Sequence, residues 1–214
     1  APGEDFESYP RDLNRDLEIL QEEGVDAVFT PDDKGIYGNE YQTYVDLEKL
    51  PNHLCGISRP IFFKGVATIV AKLFNIVKPH VTIFGQKDYQ QLVVIRQMVR
   101  DLGYDIEVVG APTIKEPDGL AMSSRNAYLS PEQRTSALSL YNSLQKAQEL
   151  VENGIQDATV IIDSAAELIQ SRPETEIDYI NICDTETLAD IQTIVKPVLM
   201  ALAVKAGKAR LIDN

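Results

Sequence analysis

Lys87 and Asp88 stand in Gly85-Gln86-Lys87-Asp88-Tyr89-Gln90-Gln91, directly after the apolar run Val81-Thr82-Ile83-Phe84. Beyond them Leu92, Val93, Ile95, Met98 and Val99 recur at helical spacing. A strand that ends in glycine and passes straight into a helix presents unpaired N–H groups and the positive end of the helix dipole, where an anion is favoured. Lys87 adds a point charge there. Asp88 and Gln91, one helical turn apart, add oriented acceptors and a donor. That is chemistry for a nucleotide phosphate beside a small polar substrate. The plainer alternative is a charged first turn on a surface helix, since Asp at a helix N-terminus stabilises by itself.

A second polar segment follows in Gly119-Leu120-Ala121-Met122-Ser123-Ser124-Arg125-Asn126. Two hydroxyls and a permanently charged, forked guanidinium suit a polyphosphate, although small hydroxyl residues also favour an ordinary polar loop. Arg59-Pro60-Ile61-Phe62-Phe63-Lys64-Gly65 is a third candidate: Arg59 can receive a carboxylate or pair with acidic surface, while Phe62 and Phe63 read as core or cleft wall. The acids Glu4, Asp5, Glu7, Asp12, Asp16 and Glu18 either attract Mg²⁺ through water or form a solvated helix face, and the solvated face is the preferred reading.

These segments need elements to hold them. Leu13, Leu17 and Leu20 predict a helix over 11–23, stopped at Gly24. Residues 25–31 read as a short buried strand, 33–60 as irregular with a strand at 43–47, and 65–77 as an amphipathic helix. The strand at 81–84, a helix over about 88–102 and a strand at 106–109 complete a β-α-β unit, the signature of a parallel sheet with covered faces. In such sheets ligands bind where strands end at their carboxyl side, which favours the functional reading of Lys87 and Asp88. After Pro112 the pattern changes. A loop-rich stretch over 113–129 leads to a helix with Ser130 as N-cap, Pro131 at its first position and Gln133 placed for a capping box. A second helix over 158–171 is capped by Asp157, and strands are expected at 177–183, 197–204 and 208–212. The division is α/β for residues 1–112 and a smaller α+β unit for 113–214.

The 214 residues carry 20 Lys+Arg against 33 Asp+Glu, a formal net charge of −13, with a pI near 4.6. Nucleic acid and anionic membrane both require a basic face, so neither is expected as a partner. Cations for an anionic substrate must be gathered locally, from Arg59, Lys64, Lys87 and Arg125. Cys55 and Cys183 have neither disulfide-framework nor metal spacing, which fits a reducing cytoplasm. His53 and His80 make no zinc-binding pattern. No apolar run approaches the ~20 residues of a membrane span. The opening Ala1-Pro2-Gly3-Glu4-Asp5 reads like a loop entered midway, so the first domain is expected to be incomplete at its N-terminus.

In this order the segments resemble the pantothenate synthetase (pantoate–β-alanine ligase) family. The matching text is Tyr9-Pro10-Arg11, Arg59-Pro60, Phe63 with Gly65-Val66, Phe84-Gly85 with Lys87-Asp88 and Gln90-Gln91, Asp118-Gly119-Leu120-Ala121 with Ser123-Ser124-Arg125-Asn126, and Ala209-Arg210-Leu211-Ile212-Asp213-Asn214. The resemblance spans essentially the whole chain. It implies a Rossmann-like, nucleotidyltransferase-type enzyme that forms pantoyl adenylate from ATP and pantoate, and then pantothenate on attack by β-alanine. It further implies a cytoplasmic homodimer, and Mg²⁺ bridging the triphosphate with no protein metal site. Lys87 would contact phosphate and the reacting centre, Gly85 and Asp88 the ribose, and Gln91 pantoate. Ser123, Ser124 and Arg125 would hold ATP phosphates and share the catalytic role with Lys87, while Ile114 and Met122 line the adenine. Two departures stand out. The family's His-x-Gly-His phosphate clamp does not occur in these residues, which are therefore expected to turn over poorly by themselves, at the limit as a nucleotide-binding remnant. Ile61-Phe62-Phe63 stands where the family usually has Gly-His-Phe.

Overall fold

The computed structural model describes residue 9 and residues 11–214. Glu4, Asp5 and Glu7 of the acidic segment, and Pro10 of the Tyr-Pro-Arg match, lie outside the described residues. Helix α1 (Leu13–Glu22) starts at Asp12, whose carboxylate accepts from the N–H of Arg15 at 3.1 Å. A short α2 (Asp33–Tyr37) follows, then a 3₁₀ turn (Leu50–Asn52), α3 (Cys55–Ser58) and α4 (Phe62–Val77). The first half is completed by β1 (Val81–Gly85), a 3₁₀ turn (Gln86–Asp88), α5 (Tyr89–Asp101) and β2 (Glu107–Ala111). The second half contains a 3₁₀ turn (Ser124–Tyr128), α6 (Pro131–Glu152), α7 (Ala158–Gln170), β3 (Thr175–Cys183), β4 (Leu199–Ala206) and β5 (Ala209–Asp213). No helix among the described residues is long and apolar enough to cross a membrane.

Strands β1 and β2 pair in parallel from Val81↔Glu107 to Gly85↔Ala111, with α5 as the crossover between them. Phe84 and Val108 turn toward α4 and α5, packing on Ala67, Val70, Phe74, Ile95 and Met98. The opposite face differs from the expected covered sheet. Val81 is 50% and Ile83 69% exposed, because both helices of this unit lie on the other side. Nor do residues 25–31 form the expected strand. They make no ladder, and Val25, Val28 and Phe29 are exposed. An extended segment holds its shape only when its N–H and C=O groups find a neighbouring strand, and among the described residues none lies beside this one. The strand expected at 43–47 fails similarly: the Val45 N–H donates instead to the Thr68 hydroxyl on α4, at 3.0 Å. Helix α4 begins at Phe62 rather than Gly65, so Phe62 and Phe63 belong to its first turn.

The second half is an antiparallel sheet in the order β3-β4-β5, packed against α6 and α7. Ser130 and Gln133 close a complete capping box at the start of α6, with Pro131 following the cap. Central strand β4 is buried on both faces, and alternation sorts its side chains. Leu202 and Val204 pack on Leu140 and Ile169 of the two helices. Leu199 and Ala201 face Val93 and Val94 of α5. One core therefore joins α5 to the C-terminal sheet and fixes the strand–helix junction at Lys87 relative to β5.

Candidate functional site

The junction at the end of β1 is built as the sequence suggests. The 3₁₀ turn Gln86–Asp88 and α5 begin without a side-chain cap, so their first N–H groups keep their capacity to bind an anion. Asp88 is exposed and its carboxylate makes no capping hydrogen bond, although its charge still stands at a helix N-terminus, where it is favourable by itself. The Lys87 ammonium makes no ion pair or hydrogen bond among the described residues. Gly85 is exposed, with open space where a side chain would stand.

Lys87 lines two adjoining cavities. One, of about 50 Å³, is walled by Phe62, Phe63, Gln91, Tyr179 and Arg210. The other, of about 10 Å³, lies against Leu120, Ala121, Ser123 and Asp213. Lys87 thus borders both the cavity that Gln91 lines and the one that Ser123 lines. Arg210 is already paired with Asp178, at 2.6 Å. The Arg59 guanidinium stacks on the Phe62 ring, 3.4 Å from its centroid. Phe62, where the resemblance implies a histidine, thus provides a platform rather than a polar group. Its neighbour Phe63 is only 2% exposed and belongs to the core.

The two glutamines of the motif divide their work. Gln91 is half-buried at the cavity wall. Gln90 is buried, and its amide donates to the carbonyls of Leu50 at 2.9 Å and His53 at 2.7 Å, tying the 50–53 turn to α5.

The serine segment is held by a hairpin and a charge network. Met122 N–H donates to Ile114 O at 2.9 Å and Lys115 pairs with Ala121, which puts Ile114 and Met122 side by side across the hairpin. Both are apolar, and they are 63% and 58% exposed, a surface suited to a flat base. At the tip, Gly119 has φ +97°, and a Cβ there would lie 2.3 Å from the Tyr141 ring, so glycine is required on both counts. Arg134, on α6, donates to Glu116 at 2.6 Å and to Asp118 at 2.7 Å. Glu116 also accepts from the buried amide of Asn126, directly after Arg125. Ser123 caps the turn that follows it, accepting from Arg125 N–H at 3.3 Å. Ser124 donates to the Tyr9 hydroxyl at 2.9 Å, and the Arg125 guanidinium lies 5.4 Å from the Tyr9 ring centroid. Ser123 and Ser124 open onto a groove of about 760 Å³ lined by Arg11, Arg15 and Arg134 and also by Asp12, Asp16 and Glu116.

The network is sensitive to pH in a defined direction. Hydrogen bonds from Asn126 and then Arg134 hold the Glu116 carboxyl below its ordinary range, and Arg134 does the same for Asp118. Folded-state values below the unfolded ones mean stability that is complete above the ordinary carboxylate range. It is lost as pH falls through that range, near 4, and below. Amide-exchange protection over residues 114–122, corrected for the intrinsic pH dependence of exchange, is expected to fall on acidification; in Arg134→Gln it should already be lower near neutral pH and change less with pH. The same protection and the same pH dependence in the variant would show that Arg134 does not set it.

Of the residues expected at the site, Lys87, Asp88, Gln91 and Gly85 gather at the end of β1, and Ser123 reaches Lys87 through the smaller cavity. Ser124 lies farther out along the groove, Arg125 follows it beside the Tyr9 ring, and Ile114 and Met122 form the hairpin face. Sequence reasoning missed the Gln90 clamp and the Arg134 network. Asn126 at least stands within a recognisable motif, whereas nothing local marks Arg134.

The fold defines an α/β protein whose candidate site residues collect at the carboxyl end of a parallel strand, beside a second, antiparallel unit. The sequence profile described as pantoate-beta-alanine ligase matches residues 1–214, and the chain belongs to that family. It is 61% identical over 214 residues to the pantothenate synthetase of Desulfatibacillum aliphaticivorans, covering 100% of this chain and 76% of that protein. The crystal structure of pantothenate synthetase from Thermus thermophilus superposes with a TM-score of 0.96 at 45% identity, covering 100% of this chain and 77% of the other. The pantoate-beta-alanine ligase of Francisella tularensis, solved with beta-gamma ATP and beta-alanine, gives 0.78 at 32% identity, covering 98% and 71%.

Proposed function

We propose that this chain condenses pantoate with β-alanine at the expense of ATP. The pantoate carboxylate attacks the α-phosphorus of ATP, forming pantoyl adenylate and releasing pyrophosphate. The β-alanine amine then attacks the acyl carbon, AMP departs, and the amine loses a proton to give the amide of pantothenate. The observation that carries this reading is the placement of Lys87 between the Gln91 cavity and Ser123. A carboxylate held on one side and a phosphate on the other meet at its ammonium. Such a reaction needs positioning and charge stabilisation more than covalent help from the protein.

In this reading Gln91 hydrogen-bonds pantoate, whose apolar carbons rest against Phe62 and Phe63. Gly85 and Asp88 hold the ribose, Ile114 and Met122 flank the adenine, and Ser123, Ser124 and Arg125 bind the phosphates along the groove. Among the described residues no three His, Cys, Asp or Glu side chains are grouped to hold a metal ion. Mg²⁺ would therefore arrive with ATP, ligated by phosphate oxygens and water. Residues 1–112 would carry nucleotide and pantoate, with 113–214 as a lid unit, a division supported by the two separate sheets. Family membership supports a homodimer in the cytoplasm, and the two free thiols fit a reducing compartment.

The test is pyrophosphate release from ATP by the purified protein, offered a panel of short hydroxy acids with and without β-alanine. Slow release that depends on pantoate, with pantothenate appearing only when β-alanine is present, is the expected result. Faster release with a different acid would overturn the substrate assignment.

A further inference from the structure

Asn214 lies at the end of β5, yet its side chain reaches back 127 residues to the Lys87 turn. Its amide nitrogen donates to the carbonyl of Gln86 at 2.8 Å and to that of Lys87 at 2.9 Å. Two carbonyl acceptors fix the orientation of the amide, because only its NH₂ end has hydrogens for both. The backbone N–H of Asn214 is in turn held by Asp213, at 2.9 Å. Asp213 is 3% exposed and forms an ion pair with Lys115. The Lys115 ammonium lies 5.1 Å from the Tyr141 ring centroid. A continuous set of contacts therefore runs from α6 through Lys115, Asp213 and Asn214 to the backbone that displays the Lys87 side chain.

We infer that Asn214 is a positioning residue for Lys87: it holds the 3₁₀ turn so that the ammonium stays between the two cavities. The inference rests on the proposed role of Lys87. Two carbonyls of the turn are restrained from the end of the C-terminal sheet, through Asn214. An alanine at 214 leaves β5 intact but removes both donors. An aspartate at 214 keeps the shape and sets carboxylate oxygens against two carbonyl oxygens.

The experiment is a double-mutant cycle on Asn214→Ala, Asn214→Asp and Lys87→Ala, reading pantoate-dependent pyrophosphate release, ATP affinity by titration, and melting temperature. Misplacing a reacting group by an ångström costs up to about 10²-fold, so Asn214→Ala is expected to lower kcat by roughly 10- to 100-fold, with KM for pantoate changed less than about twofold. Asn214→Asp should be at least as impaired. In the Lys87→Ala background the Asn214 substitutions should have almost no further effect, since groups acting as one unit are not additive. Additive losses would overturn the inference. So would a fall in melting temperature large enough to explain the lost rate, which would mark Asn214 as merely structural. Should Lys87→Ala by itself change neither rate nor ATP affinity, the assignment of the site fails instead, a different outcome from additivity.

Discussion

Replacing Lys87 by alanine is expected to reduce pantoyl-adenylate formation by about 10²- to 10³-fold, the usual cost of removing one preorganised group that stabilises developing charge. Among the described residues its ammonium makes no ion pair or hydrogen bond that would hide the effect, and the two nearby arginines are engaged elsewhere. Arg210 is committed to Asp178 at 2.6 Å, and Arg59 is stacked on Phe62. ATP affinity should weaken too, by roughly tenfold or more, since a hydrogen bond to a charged group contributes about 1.5–3 kcal/mol. Lys87→Arg separates charge from shape. A forked guanidinium on a longer arm keeps the charge but cannot place it as a point between two cavities, so binding should recover more than rate. Wild-type rates in Lys87→Ala would remove this lysine from the mechanism, whatever becomes of the rest of the site.

Gly56→Ala is expected to be the most damaging small substitution in the framework. A Cβ at this position would stand 1.6 Å from the carbonyl oxygen of Pro51 and 2.6 Å from its carbonyl carbon. Both obstacles are backbone, so no side-chain rotation relieves the overlap, and the 50–53 turn must move. That turn is held by the two Gln90 hydrogen bonds and by Leu50 and Leu54 packing on Phe63 and Val93. Overpacking typically costs about 1–3 kcal/mol, and each lost hydrogen bond adds about 1 kcal/mol. A loss of about 3–5 kcal/mol corresponds to a melting temperature lowered by roughly 10 °C in a chain of this size. Because the same turn leads into Arg59, Phe62 and Phe63, affinity for pantoate should fall in whatever protein remains folded. A melting curve within about a degree of wild type would show that the turn yields more easily than its contacts suggest.

How far the sequence leads depends on the range of the interactions involved. The start of α6 is legible because Ser130 and Gln133 cap one another within four positions, with Pro131 following the cap. The β1–α5–β2 unit is legible because apolar period and crossover length are properties of one continuous stretch. Residues 25–31 carry a convincing apolar run and still form no strand, since a strand depends on a neighbour that the run itself cannot specify. At the site, local chemistry alone left Lys87-Asp88 open between an anion site and a charged first turn. The order of motifs along the whole chain pointed to the family, and the uncapped Asp88 is a detail that only the coordinates supply. Gln90, Arg134 and Asn214 were hidden for one shared reason: their partners lie 16 to 128 residues away. Glutamine, arginine and asparagine with distant partners look like any polar residue of the surface.

The open face of the β1–β2 sheet has a colloidal consequence. Val81 and Ile83, 50% and 69% exposed, give separate molecules an apolar surface on which to meet. Near neutral pH a net charge of −13 opposes such contact by long-range repulsion. Added salt shortens the reach of that repulsion, and near a pI of 4.6 it vanishes, while the apolar face is unchanged by either. The acidity of the chain, which says nothing about its reaction, thus acts as the solvent-side counterpart of an uncovered sheet.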